Sequence, residues 1–496
     1  MKKYILGIAA IAAAVLLQSC GNFLDEESQS EMIPKTATDF SELLIGNGYP
    51  DHYSPSYAWL SYMDDDCEGY LDYKGYDYTQ PWPYPEIDNF AGQSATVTPM
   101  PYYTWQPYSQ DQDGYGNEIN ATASSTTYGQ FYSKIMGCNA VLDDIDDAYG
   151  AQNDKDRVKA EALAVRAFLY WTLVNIYGEP YNYNKDGLGV PLKTNANLST
   201  DGIARSTVGE VYDNLIVPDL QEAAKLMDPL DILTSNYRIN QPTIHILLSR
   251  VYLFMERYQD CIDEANKALK QGIRLMNLPS ELGESYKASQ YNPFSYSNPE
   301  VTWIFGPDPW DMGQNYWAGH ATGFRAIWDQ DNDLRWLQYG LTLADNTDVI
   351  LKDHAAGLSQ NIRTAEAYLN KMEAEALLGK EADALADFNT FCATRYKNYS
   401  NKNLSGDELL KEIRLERRRE FCFEGTRWFD LRRQGMPEIQ HPYRAAAGGP
   451  KLMYTLKHND PLYTIPIPRS VITKNTLIEQ NASRNESERQ PVEVSE

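Results

Sequence analysis

Glu412, Glu416, Glu420 and Glu424 recur every fourth residue, with Arg417, Arg419 and Arg427 placed among them. On a helix this spacing aligns the four carboxylates in one stripe. Such a stripe has two chemical uses. Two carboxyls at a set separation can hydrolyse a glycosidic bond. The same stripe paired with guanidinium groups is an ion-pair lattice that holds helices in register. Interleaved acids and bases favour the lattice, with Arg417, Arg419 and Arg427 as the expected partners.

Two acidic runs suggest a cation. Asp111-Gln112-Asp113-Gly114-Tyr115-Gly116 begins like a calcium loop, but its fifth position is Tyr115 and its twelfth Thr122, where such a loop needs an oxygen ligand and a glutamate. A polar turn is the expectation there. Asp64-Asp65-Asp66-Cys67-Glu68 reads as a solvated acidic loop with calcium as the alternative. A structural calcium ion is therefore compatible with the sequence, although no specific motif requires one, and no other cofactor is implied. The six histidines are scattered, and no H-E-x-x-H, P-loop, G-x-S-x-G or G-x-G-x-x-G occurs.

The aromatic residues point to a different chemistry. The chain has 36 Tyr, 14 Phe and 10 Trp among 496 residues, and two stretches hold a disproportionate share. Residues 49–108 carry 16 aromatics and residues 286–339 carry 13, including five Trp. Flat aromatic faces pack on the axial C–H groups of a pyranose, and nearby Asp, Asn and Arg can bond its hydroxyls. Trp82, Tyr84 and Trp105 in the first stretch, and Tyr296, Trp310 and Trp317 in the second, are the candidate carbohydrate-binding residues. Both stretches are dense in Pro, Gly, Asn and Asp, so they are loops, and loops need a rigid scaffold to position them.

Helices supply that scaffold. Tyr128–Tyr149 and Lys155–Tyr177 read as a helical pair, the second ending at Gly178. Thr207 and Glu210 form a capping box that opens a helix running to about Met227. Leu253–Ala265 and Ala376–Phe388 align without a gap at an offset of 123. Each is a helix end, a short turn and a second helix opening with small residues, the pattern of tetratricopeptide pairs. The predicted class is mainly α, with helical scaffold at about 128–177, 205–272 and 361–433 and aromatic insertions at about 49–108 and 286–339.

Composition sets the remaining bounds. A hydrophobic fraction of 43% allows a large core. With 44 Lys and Arg against 69 Asp and Glu, the net charge of −25 excludes a nucleic-acid binder and adsorption to an anionic membrane surface. Lys2 and Lys3 precede an apolar run from Ile5 to Leu17, then Leu17-Gln18-Ser19-Cys20. This resembles a lipoprotein signal peptide over residues 1–19, with Cys20 as the acylated first residue of a mature domain, 20–496. Cys138, Cys261, Cys392 and Cys422 lie in helical patterns and read as small buried hydrophobes, and there is no C-x-x-C.

The C-terminal third carries a family resemblance. Arg363-Thr364-Ala365-Glu366-Ala367-Tyr368-Leu369 with Glu373-Ala374-Glu375-Ala376 resembles the R-x-A-E-x-Y-L…A-E-A helix of the SusD/RagB family. Glu416-Arg417-Arg418-Arg419-Glu420, then Phe423-Glu424-Gly425-Thr426-Arg427-Trp428-Phe429-Asp430-Leu431-Arg432-Arg433, is similar to its E-R-R-x-E-x-x-F-E-G-x-R-W-x-D-L-x-R signature. Arg205-Ser206-Thr207-Val208 with Pro218-Asp219-Leu220, Asp333-Leu334-Arg335, Ile465-Pro466-Ile467-Pro468, Asn475 and Gln480-Asn481 are similar to further family positions. The resemblance implies an α-helical fold with four tetratricopeptide-like units. It implies an outer-membrane lipoprotein of Bacteroidetes, facing the cell exterior, that binds glycans and caps a SusC-like TonB-dependent transporter. Asp25-Glu26-Glu27 after Cys20 is similar to the surface-export patch of such lipoproteins. No enzymatic activity is implied. Peptide or glycopeptide binding on the same fold, a glycosidase on a helical scaffold, and a helical-repeat adaptor are the alternatives.

Overall fold

The computed structural model describes residues 33–66, 68–69, 74–76, 86–88, 97–198, 201–230, 235–282, 291–306, 317–318, 323–342, 348–350, 360–444 and 449–495. Its framework is a series of helices: α1 Ala37–Leu43, α2 Thr127–Asp144, α3 Gln152–Tyr177, α4 Val217–Met227, α5 Gln241–Phe254, α6 Tyr258–Lys270, α7 Thr364–Leu377, α8 Glu381–Ala393, α9 Gly406–Phe421, α10 Arg427–Arg433 and α11 Arg469–Lys474. From α2 to α6 each helix packs on the next, then α6 packs on α7, α7 on α8, and both α7 and α8 on α9. The fold is mainly helical.

Helix ends follow local chemistry. Thr126 caps α2 by accepting from Gly129 N at 2.9 Å. The helix predicted over Tyr128–Tyr149 stops at Asp144, with a 3₁₀ turn over Ile145–Asp147. The Thr207–Glu210 capping box is reciprocal: Thr207 Oγ1 accepts from Glu210 N at 3.1 Å, and Glu210 accepts from Thr207 N at 2.8 Å. The helix it opens passes through a π segment, Tyr212–Ile216, before α4. Pro218 lies at the start of α4, and its missing N–H is a sufficient cause for the changed hydrogen-bond register.

The two aligned segments form matching corners. α5 turns into α6 through residues 255–257, and α7 turns into α8 through residues 378–380. Glu256 and Gly379, equivalent at the offset of 123, both adopt left-handed backbone, with φ of 59° and 79°. Cys261, Ala265 and Ala268 on α6 and Ala365, Ala367 and Ala374 on α7 are fully buried, so small side chains sit where these helices meet. Cys138, Cys392 and Cys422 are likewise buried.

Small sheets join the ends. β1 Val301–Phe305 pairs antiparallel with β2 Gln360–Arg363, which leads directly into α7. β3 Ile439–Tyr443, β4 Leu452–Leu456 and β5 Val492–Glu493 form a three-stranded sheet in the order β5-β4-β3. One core runs from Phe40 to Ile478, and a second, smaller one lies between α7, α8 and α9. Among the described residues no helix is long and apolar enough to cross a membrane.

Candidate functional site

The acidic stripe is consumed by the fold. Glu420 is fully buried and accepts from Arg335 at 2.8 Å, Arg395 at 2.9 Å and Arg363 at 3.1 Å. Burial alone would raise its pKa, but Arg395, Arg363 and Arg335 together hold it well below the carboxylate range. Glu416 pairs with Arg335 and, at 2.8 Å, with Arg419. Glu424 pairs with Arg363. Glu412, the outermost, meets Lys402 at 3.0 Å. The partners thus come mainly from segments far away in sequence, and of the three arginines expected to serve the stripe only Arg419 does. Arg417 lies one residue, about 100°, around the helix from Glu416. It faces α7 and α10 instead, bonding Asp430 at 2.9 Å and Asn370 at 2.7 Å.

The remaining motif residues are likewise taken up by partners inside the fold. Glu366 accepts from Arg250 at 2.5 and 2.7 Å. Glu373 accepts from Arg414 and Arg433, and these cations lower its pKa to about 2 against the effect of burial. Arg166 grips Asp219 at 2.8 and 2.9 Å. Arg205 donates to backbone carbonyls of Tyr177, Leu188, Gly189 and Glu479, and Asn481 bonds those of Tyr177 and Ile465. Arg432, fully buried, donates to the carbonyls of Asn175 and Gly178 at the end of α3. Burial pulls its pKa down to about 10. A hydrolytic acid needs a raised pKa and access to substrate. Glu416, Glu420 and Glu424 are all guanidinium-paired, and Glu416 and Glu420 are pulled below the usual range.

The acidic runs resolve likewise. Asp64-Asp65-Asp66 is not a solvated loop. Asp66 is fully buried and bonds Arg418 at 2.6 Å, while Asp65 is held by Arg427 at 2.6 and 2.8 Å. The two arginines of α9 and α10 fasten this N-terminal segment through Asp65 and Asp66, while the buried Asp64 carboxylate accepts from Asp66 N at 2.9 Å. Asp113 organises a turn, accepting from Tyr115 N, Asn117 N and Asn117 Nδ2 at 2.9–3.0 Å. Among the described residues no group of His, Cys, Asp or Glu is arranged to hold a metal.

The aromatic candidates separate sharply. Trp105 does not offer a face to a ligand. It is fully buried at a positive φ of 51°, its indole N–H donates to Met63 O at 3.0 Å, and it stacks on His441 with centroids 4.2 Å apart. Tyr103 covers the other side of that imidazole at 4.2 Å. The ring nitrogens of His441 lie 2.8 and 2.9 Å from the carbonyl oxygens of Tyr103 and Asp64, and burial lowers its pKa to about 4. Tyr49, Tyr57, Trp59, Tyr62 and Tyr102, from the same aromatic stretch, are also core residues.

Tyr296 is the opposite case, 63% exposed. Its ring leans on that of Tyr237, 47% exposed, with centroids 5.7 Å apart and planes at 34°. Asn236 fixes the pair: its side-chain amide donates to Tyr296 O at 2.7 Å, and its carbonyl accepts from Ile304 N of β1 at 2.7 Å. Arg238 on the other side bonds Glu161 and Ser41. Two exposed loop tyrosines are thereby tied to a buried strand and to α3. Ser295 and Ser297, which flank Tyr296 in sequence, bond each other through their hydroxyls at 2.8 Å. Tyr237 stands outside both aromatic stretches, and no density signal in the sequence marks it. Trp317 lies in a two-residue strand paired with residues 68–69. Cys20, Trp82, Tyr84 and Trp310 lie outside the described residues.

Comparison with known proteins accounts for this arrangement. Residues 83–253 match a family model described as SusD-like, starch-binding associating with outer membrane, and residues 283–483 match the SusD family model. The chain belongs to the SusD/RagB family. SusD-like protein P38 of Formosa agariphila is 31% identical over 172 residues, a match covering 33% of this chain and 29% of that protein. A solved SusD-like carbohydrate binding protein of Bacteroides vulgatus superposes with a TM-score of 0.63 at 21% identity, covering 90% of this chain and 97% of that one. A SusD superfamily protein of Bacteroides thetaiotaomicron gives 0.65 at 22%, covering 90% and 99%. The shared SusD-like fold is the one whose signature residues form the ion-pair clusters above. The SusD family is one of non-catalytic binding proteins.

Proposed function

We propose that this SusD-like chain is a cell-surface lipoprotein that binds oligosaccharides or polysaccharides and passes them to a SusC-like TonB-dependent transporter in the outer membrane. The observation that carries the binding is the exposed Tyr237–Tyr296 pair, held by Asn236 against β1. Two tilted tyrosine faces on a rigid base suit the C–H faces of successive sugar rings. The family model's description and the carbohydrate-binding relative support the substrate class. Trp82, Tyr84, Trp310 and Trp317 are proposed as further carbohydrate-binding residues. Acylation at Cys20 is proposed to anchor the chain, and loss of fatty-acid labelling in Cys20→Ala tests the anchor.

A panel of neutral oligosaccharides titrated into the mature chain tests the function. Binding in the micromolar to millimolar range, about −8 to −4 kcal/mol, is expected, with unchanged ligand recovered afterwards. Binding of peptides alone, or recovery of cleaved sugar, contradicts the proposal.

A further inference from the structure

A groove of about 540 Å³ runs between residues 111–123 and α11. That volume lies within the range of small-molecule sites. Its loop wall is built before any ligand arrives. Asp113 closes the turn, and Ile119 N donates to Asp111 O at 3.0 Å. Gly114 packs so closely that an added Cβ would meet the Val97 carbonyl at 1.8 Å. Asp111 ties the loop to the opposite wall, accepting from Arg469 N at 2.8 Å and pairing with Arg484 at 2.9 Å. A site held in this way has little ordering cost to meet on binding.

The charges left over define the ligand. Arg484 already neutralises Asp111. Arg469 and Lys474 line the groove from α11 with exposed side chains that have no ion pair or hydrogen bond among the described residues. Ser470, between them in sequence, also lines the groove, and its buried hydroxyl has no hydrogen-bond partner among the described residues. The loop wall contributes the carboxylate of Glu118, which has no ion pair among the described residues, the amide of Gln112 and the apolar side of Ile119. Most guanidinium groups among the described residues are ion-paired, and Arg469 is an exception.

We propose that this groove is a second saccharide subsite, separate from Tyr237 and Tyr296, that takes an acidic sugar. Its carboxylate or sulfate is held by Arg469 and Lys474 with a hydrogen bond from Ser470, its hydroxyls face Glu118 and Gln112, and its C–H edge lies over Ile119. The inference rests on the glycan-binding function proposed above and narrows its substrate to chains carrying acidic units.

Calorimetric titration of the mature chain with oligogalacturonate, with a chondroitin sulfate oligosaccharide and with a neutral cello-oligosaccharide tests it. Screening reaches about 30 Å at 0.01 M salt and about 8 Å at 0.15 M. At least one acidic probe should bind at low salt and weaken by about tenfold or more at physiological salt. The two acidic probes show whether carboxylate or sulfate is preferred. Arg469→Gln with Lys474→Gln should weaken acidic binding by about tenfold or more and leave neutral binding unchanged. Tyr237→Ala with Tyr296→Ala should leave the salt-sensitive component in place. Acidic binding that is absent, or indifferent to the α11 variant, overturns the groove assignment while neutral binding persists. If no probe binds, neutral or acidic, the glycan-binding function itself fails.

Discussion

Trp105 and Tyr296 show how one residue class divides between fold and surface. Both came from aromatic-rich loops, yet Trp105 is fully buried against His441 and Tyr296 is 63% exposed. Trp105→Ala removes a large core side chain and its hydrogen bond to Met63, so it should destabilise the chain by about 3–5 kcal/mol. Chemical denaturation checks this, and a variant within about 1 kcal/mol of the parent would contradict the buried assignment. Aromatic density in the sequence showed that these loops were unusual but not which way each ring turned. Direction depends on the local backbone, such as the positive φ at Trp105, and on partners far along the chain, such as His441. Tyr237 was illegible for the same reason, since only folding brings it beside Tyr296.

Helices were far more legible than rings, because periodicity and capping act within a few residues. The Thr207–Glu210 box and the repeated corner at 253–265 and 376–388 appear where the sequence places them. What local patterns could not show is that Arg418 and Asp66, 352 residues apart, meet at 2.6 Å. The corners make an element-scale prediction. Gly379 has φ of 79° and open space where a Cβ would stand, so Gly379→Ala meets no clash and pays only for left-handed backbone. That penalty is about 1–2 kcal/mol. Thermal unfolding should show a lowered Tm, and an unchanged Tm would mean the corner relaxes. Glu256 already carries this strain at the equivalent corner, where its carboxylate accepts from Asn182 at 3.1 Å.

Across the whole molecule the charges divide by role. The charged SusD signature residues are partnered inside the helical stack, and the exposed tyrosines sit on loops pinned to it. Breaking a buried pair leaves its partner uncompensated, at a cost of about 3–5 kcal/mol. Removing a stacking ring costs binding, about 1–3 kcal/mol by analogy with base stacking on aromatic side chains. The most direct test measures melting and neutral-glycan affinity together on two variants, Glu420→Gln and the Tyr237→Ala with Tyr296→Ala pair. Glu420→Gln should lower Tm while its folded fraction binds as the parent does, and the tyrosine pair should melt normally and lose at least about tenfold in affinity. Normal melting with abolished binding in Glu420→Gln, or undiminished affinity in the tyrosine variant, would contradict the division of roles.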